Sequence, residues 1–442
     1  MDASSAALLR DLPEMPEPRA AERGLRILMP SYRSHPYTGG QGVYMRHISK
    51  ALSDLGHQVA VVSGPPYPEL DARVRLIRLP SLDLYARPKG WAGVPALPPE
   101  AKGAIDLKEW LIHISGGFGE PYTFGQRMAR WLKGHAHEFD IVFDNQTLSY
   151  GLLAARAMGL PVTGIIHHPI TLDRSIAIDH AESLSLRLLI RRWYSFLRMQ
   201  KRVVRELGTL VTGSESAKRD FARDFGVPPA KMRVVPHGVD IGTFRPIPGM
   251  TRKTNRLIAT TSADVPLKGL VYLVRALALL VPDYPDLELV VIGKLREGPT
   301  ERMLRELNLI ARVRFVTGVS DAEINRLYAE ATLAVCPSVY EGFGFPAAEA
   351  MAAGVSLVSS MGGSLPEVVG DAGVLVPAKD PAALASAVAM LLDNPALRDE
   401  LGAKGRARAI ERFQWSRAAK KTAMVCREVI GHAHDRSRRA RA

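Results

Sequence analysis

Two glutamates, Glu341 and Glu349, flank the seven residues GFGFPAA. A carboxylate can accept paired hydrogen bonds from the neighbouring hydroxyls of a diol, as ribose and pyranose rings present them. Gly342 and Gly344 let backbone N–H groups approach a bound ring closely. Pro346 suits the first turn of a helix that Gly354 would end. The start of such a helix offers free N–H groups and a partial positive charge, which together attract an anion. Diol, ring and anion describe a sugar joined through phosphates to a ribonucleoside. Spacing alone also admits a plainer reading, with Glu349 a solvated helix residue and Glu341 a surface turn.

These residues need a rigid frame, and the hydrophobic pattern supplies one. The runs LRILMP, HQVAVVSG, DIVFDN, PVTGIIHH and GTLVTGS read as strands in the first half. NRLIATTSA, LELVVIG, VRFVTG, ATLAVCPS, GVSLVSS and AGVLVPA read as strands in the second. Helical patterns such as VYMRHISKALSDLG and LVYLVRALALLV separate them. Strand, turn, helix, strand is the order of a parallel sheet with crossover helices. The expected fold is therefore α/β, with two doubly wound, Rossmann-like domains and a cleft between the C-terminal ends of their strands. The expected boundaries are a disordered leader at 1–23, a first domain at 24–237 and a Pro/Gly-rich linker at 238–255. A second domain follows at 256–415. Then come a terminal helix at 416–431 that crosses back to the first domain, and a basic tail at 432–442.

Composition narrows the function classes. The 442 residues are 47% hydrophobic and 23% charged, within the range of globular proteins. No apolar run approaches the roughly 18 residues of a membrane span. The N-terminal stretch lacks the order of a secretory signal. The two cysteines, Cys336 and Cys426, form no metal-ligand spacing. A reducing cytoplasm is the expected location. No Asp-x-Asp pair, His/Cys cluster or Ser-His-Asp elbow is present, so neither a metal nor a cofactor is expected.

The run SVYEGFGFPAAEAMAAGVSLVSSMGGSLPEVVGDAGVLVPAKDP resembles the donor-binding segment of the retaining glycosyltransferases of the GT-B fold, in the family-four (group 1) class. TGGQG near the N-terminus, HGVD at the linker and LKG extend the likeness over nearly the whole chain from about residue 25. The resemblance implies that Glu341 and the backbone of Gly342, Phe343 and Gly344 hold the donor sugar, and that Glu349 binds the ribose. It implies that Lys268 neutralises the diphosphate. Gly39, Gly40 and Gly42 would shape the opposite wall, and Glu367 in the GGSLPE turn would also face the donor. A histidine of the first domain, His167 rather than His168, would bond the donor sugar; a structural histidine is the alternative. Glu341, His167 and Lys268 are the expected catalytic set. The departing diphosphate would itself take the acceptor's proton on the same face, giving retention. The chain departs from the family where an Arg usually precedes the Lys, for Ser262 or Ala263 stands there. Arg296 or Lys294 is the candidate replacement.

Charge is concentrated. The formal balance is +13, and residues 187–205 and 435–442 together carry +10 of it. Drawn as one helix, 187–205 puts Arg187, Arg191, Arg198, Lys201, Arg202 and Arg205 on one arc and apolar residues on the other. An ordinary helix packed by its apolar side is one reading. Attachment to an anionic membrane surface is the other, with a lipid, lipid-linked or glycan acceptor and a UDP- or GDP-sugar donor. Nucleic acid is not expected, for lack of an aromatic platform. Rival functions are a GT-B sugar-nucleotide epimerase, a soluble glycosyltransferase acting on a small molecule, a non-catalytic sugar binder and a nicotinamide-dependent dehydrogenase. The last lacks its glycine fingerprint.

Overall fold

The computed structural model describes residues 23–35, 40–86, 97–179, 181–261 and 263–439. Almost all of the expected leader, together with Gly39 and Ser262, lies outside them. The first domain holds β1 (Arg26–Ser31), β2 (Gln58–Ser63), β3 (Arg75–Arg78), β4 (Ile141–Asn145), β5 (Val162–Ile166), β6 (Leu210–Thr212) and β7 (Met232–Val234). They form one parallel sheet in the order β3-β2-β1-β4-β5-β6-β7. The second holds β8 (Arg256–Thr260), β9 (Glu288–Ile292), β10 (Val313–Val316), β11 (Leu333–Cys336), β12 (Leu357–Ser360) and β13 (Val374–Val376). Their order is β10-β9-β8-β11-β12-β13, again all parallel. Central strands are buried on both faces, which is why they read as nearly continuous apolar runs. The edge strand β3 is exposed at both ends, and the apolar pattern did not reveal it.

The terminal helix is longer than its pattern suggested. It runs Trp415–Arg439, so the expected tail is helical through Arg439. Its Trp415, Ala419, Cys426 and Val429 pack with Ile27, Met29, Ile141 and Phe143, completing one face of the first domain. The chain thus crosses between domains twice, and the crossings touch: the Val239 N–H donates to the Phe413 carbonyl at 2.7 Å.

Residues 187–205 are not one helix. A 3-10 turn at Tyr194–Phe196 separates helix Leu184–Trp193 from helix Leu197–Glu206. The second buries Leu197, Met199, Val203 and Val204 in the core. The first buries no side chain, and Leu184, Leu186, Leu188 and Leu189 are exposed. The single basic arc is therefore split. Arg187 and Arg191 stay on the exposed helix and Arg198 is exposed on the next. Lys201 sits over the Phe225 ring, Arg202 pairs with Glu206 and Arg205 donates to the Phe225 carbonyl.

Candidate active site

Strand β11 ends at Cys336, and the chain turns through Ser338–Gly344 into helix Phe345–Ala352. Gly344 has φ +94, and a Cβ there would lie 2.7 Å from the Leu365 side chain. A Cβ on Gly342 would meet the His167 carbonyl oxygen at 2.2 Å, so only glycine lets the two domains approach here. Glu341 is 9% exposed and its Oε1 accepts from Lys268 Nζ at 2.8 Å and Ser338 Oγ at 2.7 Å. Burial would lower the Lys268 pKa, but the charge and hydrogen bond of Glu341 outweigh it and hold the ammonium above its ordinary range. Ser338 fixes this carboxylate from within the same motif, and the sequence reading passed over it.

Glu349 lies one turn inside the helix and makes no hydrogen bond or ion pair among the described residues. Burial, reinforced by the charge of Asp321 and opposed by Lys268, lifts its carboxyl to about 8. Lys268, Glu341 and Glu349 are thus brought to one place. The N-terminus of helix Gly40–Asp54 faces them, since a Cβ on Gly40 would touch the Phe345 ring at 3.5 Å. Two helix starts, each with unpaired N–H groups, meet at the cleft. Gly42 is buried against the His35 carbonyl and packs the loop rather than lining the opening.

Of the other expected donor contacts, Glu367 is placed differently. Phe343 is 4% exposed, its ring against His237, Phe345 and Phe413, so only its backbone is at hand. Glu367 reaches across to the first domain: its two oxygens accept from the Glu215 and Ser216 N–H groups at 2.8 and 2.7 Å. Those N–H groups begin helix Glu215–Phe225, so Glu367 caps that helix from the other domain. Burial raises its pKa, against these two donors. Ser214 Oγ–Gly342 O and Tyr340 OH–Asp220 join the same seam, at 3.0 and 2.8 Å. Ala263 is 2% exposed in the second-domain core, so an apolar side chain stands there. Arg296 and Lys294 are exposed on the loop after β9 and form no ion pair among the described residues.

His167 is 8% exposed, with both ring nitrogens engaged. Its Nε2 lies 2.7 Å from Asn145 Oδ1 and its Nδ1 3.0 Å from His237 Nε2. With the Asn145 oxygen as acceptor, His167 donates from Nε2 and accepts from His237 at Nδ1. Burial holds both rings neutral: it drives His167 well down, with the charges of His237 and His168 adding to it, and brings His237 to about 3. A donor hydroxyl would have to displace one of these bonds to reach the His167 ring. His168 is half-exposed beside Gly342, its Nε2 2.9 Å from Asp173 Oδ2. Asp173 in turn adds to the field on Lys268 across the cleft. The pair was legible as HHPITLD, an imidazole five residues before an acid at a helix start, but only the fold shows that it faces Lys268.

Comparison with known proteins places this geometry. Residues 248–408 match the model for glycosyl transferases group 1, and residues 38–243 match that for glycosyltransferase family 4. The chain is 46% identical to an MMP α-(1→4)-mannosyltransferase of Mycolicibacterium hassiacum, over 92% of this chain and 98% of that protein. It is 28% identical to a glycogen synthase of Mycobacterium tuberculosis, over 91% and 94%. Among solved structures, sucrose-phosphate synthase from Thermosynechococcus elongatus superposes with a TM-score of 0.67 at 21% identity, covering 92% of this chain and all of that one. Anabaena HepE, solved in complex with UDP-glucose, gives 0.65 at 17% identity, over 91% and 100%.

Proposed function

Because the chain belongs to the group 1 glycosyltransferases of the GT-B fold, we propose that it moves a mannosyl unit from a nucleoside-diphosphate sugar to a glycan, forming an α-(1→4) link with retention. The observation that carries this reading is the grouping of Lys268, Glu341 and Glu349 at two helix starts, in a chain 46% identical to an α-(1→4)-mannosyltransferase along its length. The base, uridine or guanosine, stays open; HepE bound to UDP-glucose supports a nucleotide-sugar donor in this fold.

In the proposed reaction the helix N-termini and Lys268 take up the charge of the departing diphosphate. Lys268 already bonds Glu341, so on donor binding it bridges the phosphate and that carboxylate. Glu341, held by Ser338 and Lys268, then has its remaining oxygen for a sugar hydroxyl. Glu349 meets the ribose diol. The bond from the anomeric carbon to the phosphate oxygen breaks as the acceptor oxygen attacks the same face. The acceptor's proton passes to the leaving phosphate oxygen, with no metal and no cofactor. An α-linked donor then gives an α-linked product. His168, set by Asp173, stands on the first-domain wall of this cleft.

The site of action we propose is a cytoplasmic membrane face. Exposed leucines on helix Leu184–Trp193, at 76% for Leu184 and 63% for Leu188, stand beside Arg187 and Arg191. Apolar side chains with flanking cations suit an anionic lipid surface. No helix of the described residues is long and apolar enough to cross a membrane. The transfer is tested by incubating the protein with GDP-mannose, UDP-glucose or UDP-galactose and α-(1→4)-linked manno-oligosaccharides, then reading nucleotide release and the product's anomeric proton by NMR. Release from GDP-mannose without a glycan product, transfer of glucose or galactose in place of mannose, or a β-anomer, would overturn it.

A further inference from the structure

The first domain holds a second polar and aromatic cluster, away from Lys268 and Glu341. Tyr32 and Arg33 follow the last residue of β1, at the edge of the sheet that faces the cleft. Phe118 and Glu120 lead into helix Glu120–His135, and Trp193 ends the exposed helix. The Phe118 and Trp193 rings are stacked, with centroids 5.3 Å apart and planes 13° apart. Tyr85 meets both edge-on at 5.2 Å, and Tyr32 meets Phe118 at 5.9 Å. All four residues are partly buried. Beside them Arg33 Nη1 bonds both oxygens of buried Glu120, at 2.8 and 3.1 Å, and its guanidinium lies over Tyr85. Its Nε and Nη2 make no bond among the described residues. Asp83 Oδ1 lies 4.0 Å from Arg33, buried and without a hydrogen-bond partner, on a residue with φ +44.

We infer that Tyr32, Tyr85, Phe118 and Trp193, with Arg33 and Asp83, form a subsite for the body of an acceptor oligosaccharide, beyond the sugar that reacts. This inference rests on the glycan-transfer reading above. The flat rings offer apolar faces for the C–H face of a pyranose. The Arg33 Nε and Nη2 N–H groups give hydroxyls donors, and the partly exposed Asp83 carboxylate, 4.0 Å from Arg33, gives an acceptor. Charge bears on the ligand class: among the described residues Arg33 is matched by Glu120 and Asp83, and the neighbouring Arg192 is spent on Ser115 and Ser195, so the cluster presents hydrogen-bonding groups and not a bare cation. It suits a neutral glycan rather than a lipid phosphate. Tyr194, the next residue after Trp193, packs on Phe196, which also meets the Phe118 ring edge-on.

The test uses the full chain with Trp193→Leu, Tyr85→Leu and Tyr85→Phe, and α-(1→4)-linked mannosides of one to six units as acceptors. In the wild type KM should fall as the acceptor lengthens. Trp193→Leu and Tyr85→Leu should raise KM for the longer acceptors by about tenfold, leaving the shortest acceptor, kcat and GDP or UDP affinity near wild type. Tyr85→Phe, which keeps the ring and loses only the hydroxyl's bond to the Gly117 carbonyl, should keep most of the wild-type affinity for the longer acceptors. Calorimetry with mannotetraose alone should show the same loss of binding. Unchanged long-acceptor KM in folded variants, or an equal loss at every length, would overturn the subsite. If the wild type extends no mannoside at all, the transfer reading fails first, and calorimetry then decides whether the cluster binds a glycan.

Discussion

The two walls of the cleft are built in opposite ways. The second-domain wall comes from one short path, β11 to its turn to helix Phe345–Ala352, joined by Lys268 from the neighbouring β8 loop. The first-domain side, with His168 and the inferred subsite of Tyr32, Tyr85, Phe118 and Trp193, is gathered from distant segments. A short path fixes relative positions through backbone geometry, because few torsions separate the groups. A gathered wall depends on packing between elements far apart in sequence. The first kind suits a constant ligand, a nucleoside diphosphate. The second lets side chains change without disturbing the turn proposed to hold the donor.

The largest losses are expected from the short path. Glu341→Gln should lower kcat/KM by about 10- to 100-fold, through roughly 1–3 kcal/mol of lost hydrogen bonding, with folding retained. Near wild-type turnover would remove Glu341 from the chemistry. Lys268→Ala should weaken UDP or GDP binding by about tenfold or more, while uridine or guanosine binds as before. Calorimetry reads the difference, and parallel losses for nucleotide and nucleoside would refute the phosphate role. Its secondary effect is on stability, since Glu341 is left buried without its cation.

Glu349 makes a prediction about pH. Its carboxyl is lifted to about 8 in the folded chain, above its unfolded value. A group shifted upward contributes stability that is complete below its unfolded pKa and is lost as pH rises through the folded value. Glu349→Gln, which cannot ionise, should therefore melt above the wild type near about pH 9 and level with it near about pH 4, while ribonucleotide affinity falls. Equal melting at both pH values would mean that this carboxyl is not held neutral.

A smaller effect is expected at the seam. Glu367→Ala removes a cap on helix Glu215–Phe225 and should cost about 0.5–2 kcal/mol, with domain closure loosened and UDP or GDP affinity almost unchanged. A large loss of nucleotide affinity would return Glu367 to the donor site. The smallest effect concerns the outer surface. Leu184→Ser with Leu188→Ser should reduce co-sedimentation with anionic vesicles and leave kcat on soluble acceptors intact. Binding should also fall with salt, since attraction between exposed charges is screened. A wild type that stays in the supernatant at low salt sinks the membrane reading.

The difference between the walls also explains what was readable beforehand. Glu341, Glu349 and the glycines sit within nine residues of chain, and the turn and helix signals between them fix their placement. Lys268 was found through a short turn, LKG. His167 reads from sequence as a strand-end ligand or as a structural histidine, and only packing shows both its nitrogens bonded to Asn145 and His237. Glu367 looked like a donor contact because the GGSLPE turn is next to the donor loop, yet its carboxylate points to the other domain. In residues 187–205 periodicity could not show that Tyr194–Phe196 interrupts the helix, because the buried Phe196 and Leu197 redirect the second half into the core.

The sequence alone determined the central strands of the two parallel sheets, through apolar runs that suit burial on both faces, while β3 and β7 at the edges of the first sheet escaped it. It also determined the donor turn, whose glycines, proline and carboxylates act over a few bonds. Tertiary structure alone decided which polar groups are free. A hydrogen bond is spent or available according to what lies opposite in space, and Glu367, His167 and Arg33 each meet a partner at least 21 residues away. It also decided that Leu184–Trp193 keeps its leucines in solvent, since burial depends on whether another element covers that face, and a helix pattern does not encode its neighbour.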